Sequence, residues 1–83
     1  MVEQTETRLF LAAPRGGSGW GVYTATVTTA DTIVFGDFVE VLDSFCIDLS
    51  TNLVVTTSES GQTVTIDGLG LAADAILIFV YGV

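Results

Sequence analysis

Histidine and lysine are absent from this chain of 83 residues, and cysteine and proline occur once each. Without imidazole or amine, the usual general bases, Schiff-base formers and nitrogen metal ligands are gone. A serine nucleophile would lack its partner base. No G-x-S-x-G or H-E-x-x-H spacing occurs, and one cysteine excludes C-x-x-C. Gly16-Gly17-Ser18-Gly19 superficially suggests a phosphate loop but lacks the lysine and the framing strand and helix. An enzyme is therefore not expected. Cys46 cannot form a disulfide within the chain, and its place in the run Phe45-Cys46-Ile47 marks it as a buried, inert thiol.

Positive charge is almost as scarce. Arg8 and Arg15 face ten acids, giving a formal net charge of -8. No basic patch is available for phosphate contacts, which excludes nucleic acid, and the same charge disfavours an anionic membrane. Long apolar runs are missing too. Ala75 to Tyr81, the longest, is far short of a membrane span. Met1-Val2-Glu3-Gln4 is polar and acidic, without the cationic and apolar regions of a signal peptide. The aspartates 31, 37, 43, 48, 67 and 74 fall in or near turns, but no D-x-[DN]-x-[DN]-G loop is present. A structural calcium is left open without a ligand set. Otherwise no cofactor is expected.

What the chain has is β-branched residues. Twelve threonines, eleven valines and five isoleucines make up about a third of it. Val22 to Thr28 alternates, with Tyr23, Ala25 and Val27 expected inward and the threonines outward. Thr32 to Phe35 is a short strand, followed by a turn at Gly36-Asp37. In Phe38 to Asp48, Glu40 and Asp43 differ in parity, and a β-bulge near Leu42-Asp43 would keep both acids toward solvent. Leu53 to Thr57 and Gln62 to Asp67 are expected to form a hairpin through Ser58-Glu59-Ser60-Gly61. Ala75 to Tyr81 is apolar on both faces, with Ile76, Ile78 and Val80 on one and Leu77, Phe79 and Tyr81 on the other. Such a strand is covered on both sides, by a packed loop or by a symmetry mate. The fold class is all-β: a compact antiparallel β-sandwich or Greek-key barrel of six to seven short strands. Residues 1–15 are expected to form a flexible or partner-contacting arm, although Thr5 to Ala13 also fits a strand. Residues 16–21 form a Gly-rich hinge and residues 22–83 the β domain.

The run TATVTTADTIVFGDFVEVLDSF, the threonine-rich hairpin and TVTIDGLGLAADAILIFVYGV together resemble small virion structural proteins of tailed bacteriophages and related viruses. The capsid decoration, or cement, type is the nearest in texture. The resemblance covers residues 22–83 and rests on turn placement and a strand-rich C-terminus. It implies a non-enzymatic protein, made in the host cytoplasm, that sits on the virion surface as a symmetric oligomer. A homotrimer is favoured, the partner is the major capsid protein or another virion protein, and the effect is to stabilise the shell. The alternative is a small receptor- or glycan-binding module, or part of a spike, fibre or tail. Candidate partner or subunit contacts are Arg8, Phe10, Arg15, Trp20, Ile76, Ile78, Phe79 and Tyr81. The strand Ile76 to Tyr81 with Phe35 and Phe38 is expected to build the core and the subunit contact.

Overall fold

A computed structural model describes residues 2–12, 17–68 and 70–83. Among them the chain runs β1 (Glu3–Gln4), β2 (Thr7–Ala12), β3 (Gly19–Val27), β4 (Thr32–Val34), β5 (Val41–Asp48), β6 (Leu53–Val55), β7 (Thr57–Ser60), β8 (Thr63–Ile66) and β9 (Asp74–Gly82). The fold is all-β, with two sheets. One has the order β1-β4-β8-β7, the other β2-β3-β9-β5-β6. Every pairing is antiparallel except that of β1 with β4.

The long strands form where alternation is cleanest. β3 buries Tyr23 and Val27, with Ala25 packed against the core, and sends Thr26 outward, as its period of two requires. It pairs along its full length with β9, from Gly19 opposite Gly82 to Val27 opposite Asp74. β9 in turn pairs with β5, and the register slips between Val41 and Asp43. That slip is the bulge expected from the parity of the acids, and Glu40 and Asp43 are both exposed. One hydrophobic cluster draws on both sheets. Ile76, Ile78, Val80 and Cys46 come from the five-stranded sheet, and Ile33, Val64 and Ile66 from the four-stranded one. Phe35 and Phe38, in the connection between β4 and β5, complete it, and both are too deeply buried to serve the subunit contact also expected of them.

Four expectations need correcting. Among the described residues nine strands form rather than six or seven. The segment expected as an arm supplies strands to both sheets: β1 pairs with β4, and β2 with β3. Asp31 holds β1 in place. Its buried carboxylate accepts hydrogen bonds from the amides of Val2 (3.1 Å) and Thr28 (2.9 Å) and from Gln4 Nε2 (2.8 Å). Gly19 to Gly21, expected in a hinge, belong to β3, while Arg15 lies outside the described residues. The expected hairpin also differs. β6 pairs with β5, the chain steps to the other sheet at Thr56, and the hairpin joins β7 to β8 through Gly61-Gln62. Gly61 has φ +60°, which a tight two-residue turn requires at its first position and which glycine adopts without strain.

Polar contacts join the sheets at one side. The Ser44 hydroxyl on β5 lies 2.6 Å from Thr57 Oγ1 and donates to Glu59 Oε2 at 2.6 Å. The Val41 amide donates to the Gly61 carbonyl at 2.8 Å. These bonds satisfy groups that packing of the sheets removes from water.

Candidate functional site

Cross-strand register assigns each residue of the five-stranded sheet to a side. Directly opposed residues share a face, so the outer side reads as rows. One row is Phe10, Val22, Phe79 and Phe45, across β2, β3, β9 and β5. The next is Thr7, Thr24, Leu77, Ile47 and Val54. Neither row contains a charge. A third row, Ala12, Trp20, Tyr81 and Asp43, ends on a carboxylate.

The aromatic side chains of this face are only half covered. Phe10 is 50% exposed, Trp20 45%, Phe45 47% and Tyr81 46%. A fully buried aromatic side chain covers about 150–250 Å², so these four leave about 300–450 Å² of ring surface in water. Val54, 64% exposed, extends the patch, as do the half-buried Val22, Ile47, Leu77 and Phe79. The largest apolar patch on an ordinary monomer is about 300–600 Å² and is often functional. The rings are ordered against each other. Phe10 and Trp20 pack at 5.2 Å between centroids, and Phe45 and Phe79 at 6.1 Å. Trp20, Phe45, Phe79 and Tyr81 wall a cleft of about 250 Å³ with Asp43 at its margin.

Not every expected contact residue lies here. Phe10, Trp20, Phe79 and Tyr81 do. Ile76 and Ile78 are 0% exposed and belong wholly to the core, so they are unavailable to a partner. The alternation of β9 made both faces look equivalent, but only one faces the second sheet. Arg8 is held within the chain by Asp37 at 3.2 Å. The same carboxylate accepts a 2.9 Å hydrogen bond from the buried Tyr23 hydroxyl, and burial followed by that bond pushes the Tyr23 pKa up. Phe45, Ile47 and Val54 were not among the expected contacts. Counting the alternation of β5 through its bulge puts Phe45 and Ile47 on the side of Asp43, and that signal was present in the sequence.

Chemistry beyond contact is sparse. Cys46 is buried, and burial, aided by the charge of Asp48, pushes its thiol up to about 11, so it is a poor nucleophile. Asp48 and Asp74 interact where β5 ends and β9 begins. The Ser50 amide donates to Asp48 (2.9 Å) and holds its carboxyl low. The Asp74 carboxyl is raised, first by its hydrogen bond to Asp48 and then by burial. Among the described residues, no three acidic or thiol groups converge as metal ligands. The arrangement suits binding through an aromatic surface. Comparison with protein-family models, curated proteins and solved structures gives no match for this chain.

Proposed function

We propose that this chain is a non-enzymatic assembly protein that docks through the outer side of its five-stranded sheet. The observation that carries this reading is the charge-free aromatic face built on Phe10, Val22, Phe45 and Phe79. A protein of net charge -8 has acids to spare for its surface, yet this face holds none in its central rows. Leaving such rings in water costs free energy that a contact would recover, at about 25 cal/mol per Å². The two sheets are read as the layers of a β-sandwich, with the docking face outside. The resemblance to capsid decoration proteins supplies the partner: a viral shell, on which copies of the chain sit as a symmetric cluster, a trimer in the favoured form. Binding only the assembled shell would stabilise it by mass action.

The test is co-sedimentation with empty viral shells assembled without the chain, followed by imaging. Saturable occupancy of symmetric sites is expected, and Phe45→Thr should reduce it at least about tenfold while leaving the circular dichroism unchanged. Undiminished occupancy by Phe45→Thr and Phe79→Thr would show that the chain docks by another surface. Failure to bind shells, with saturable binding of glycans instead, would remove the decoration reading.

A further inference from the structure

We infer that the cleft between Trp20, Tyr81, Phe45 and Phe79 takes the guanidinium group of an arginine presented by a partner protein. The inference rests on the outer face being a docking surface and adds the chemistry of its anchor. Register places Trp20, Tyr81 and Asp43 on one row, so a carboxylate stands at the end of an aromatic wall. Phe10 braces Trp20 from β2 at 5.2 Å. Asp43 is exposed, and one of its oxygens accepts the Ser44 amide at 2.9 Å. The other oxygen has no side-chain partner among the described residues. The cleft, about 250 Å³, is large enough for a side-chain head group and small for an extended ligand.

Ring faces carry negative charge density and attract cations, tryptophan most strongly. A carboxylate beside the rings adds a full charge and a two-oxygen acceptor. Arginine meets both at once, since its flat guanidinium stacks on aromatic faces while its N–H groups form paired bonds to a carboxylate. Lysine brings a compact, strongly hydrated charge and no plane. The whole chain agrees in sign: a protein at -8 draws cationic partners toward it over about a Debye length. A neutral sugar would use the rings but gain nothing from the charge.

The test uses the intact chain, whose single tryptophan, Trp20, lies in the cleft and reports occupancy by its fluorescence. The probes are acetyl-Leu-Arg-Leu-amide and the same peptide with citrulline, which keeps the shape and loses the charge. Amide chemical shifts of residues 43–45 and 79–81 locate the binding. The arginine peptide should bind saturably and at least about fivefold more tightly than the citrulline peptide. Asp43→Asn should bring the two peptides together, and raising salt from about 50 to about 500 mM should weaken only the arginine peptide. Equal affinity for both peptides, or no response to either, overturns the proposal. So does saturable binding of maltotetraose at these amides without a response to arginine. None of these outcomes touches the docking reading, which is tested separately by the shell occupancy of Phe45→Thr and Phe79→Thr.

Discussion

The two sheets present opposite chemistry to water although they enclose a shared core. On the outer side of the four-stranded sheet the rows are Glu3, Thr32, Thr65, Ser58 and Val34, Thr63, Ser60. On the outer side of the five-stranded sheet the corresponding row is Phe10, Val22, Phe79, Phe45. Threonine and phenylalanine both favour strands. Either face would therefore satisfy the backbone, and folding does not explain why one is aromatic. Threonine is the choice compatible with permanent exposure. Exposed aromatics make sense where the face is covered in the working state.

That contrast can be broken by measuring what each apolar position contributes. The largest effect belongs to the core side of β9. Ile78→Ala removes a fully buried side chain at the centre of the cluster, and about 2–5 kcal/mol of stability should go with it, read from the urea midpoint. A domain of this length holds roughly 4–12 kcal/mol in total, so the variant should lose a large share of its stability. Gly82→Ala comes next. A Cβ there would meet the Glu40 carbonyl and approach Phe38 Cδ2 to 3.0 Å, and backbone cannot move aside as a side chain does. A loss of about 1–3 kcal/mol is expected. A smaller loss for Ile78→Ala than for outer-face changes would mean that the two sides of β9 had been assigned in reverse.

Sequence periodicity reveals which residues alternate but not which side is covered. In β3 polarity decides, because threonine opposes tyrosine and valine. In β5 the acids decide, and the bulge follows from Glu40 and Asp43 alone. In β9 nothing decides: Ile76, Ile78 and Val80 are as apolar as Leu77, Phe79 and Tyr81. Their difference comes from the second sheet, a non-local fact. The same limit hid the true hairpin. Leu53 to Thr57 reads as one strand and Ser58 to Gly61 as its turn, since the change of sheet at Thr56 involves neither glycine nor proline. The pairing of β2 was legible only as an alternative to an arm. Arg8 looked available to a partner because Asp37, which holds it, lies 29 residues away in sequence.

Two carboxylates, the buried Asp31 and the half-buried Asp74, should respond to pH in opposite directions. The hydrogen bond from the Thr28 amide, then that from Gln4, lowers the Asp31 pKa to about 2. Its folded value lies below its unfolded value of about 4, so its contribution is complete above pH 4 and is lost as pH falls toward 2. Asp31→Asn should therefore lower the urea midpoint at neutral pH and flatten the acid limb. Asp74 has the reverse sign. Its pKa is raised, so its contribution is present in acid and is lost as pH rises through the raised value, when a second charge appears beside Asp48. Asp74→Asn should raise the midpoint at neutral pH, with the gain fading in acid. Equal pH profiles for Asp74→Asn and the unaltered chain would show that the two carboxylates do not interact.

The smallest effect on stability is expected where the effect on assembly is greatest. Phe45→Thr with Val54→Thr gives the outer side of β5 and β6 the hydroxyl character of the other sheet. Both positions then carry a β-branched residue, so strand preference is retained. Phe45 is already 47% exposed and Val54 64%, and little packed volume is removed. The midpoint should correspond to a loss of about 1 kcal/mol or less, below that for Ile78→Ala. Concentration-dependent association, followed by sedimentation velocity, should weaken at the same time, because the apolar area that would drive it has gone. A stability loss matching that of Ile78→Ala would place the aromatic face in the folding core. Unchanged association of copies would leave that face to a different protein, since rings this exposed add more to a contact than to the fold.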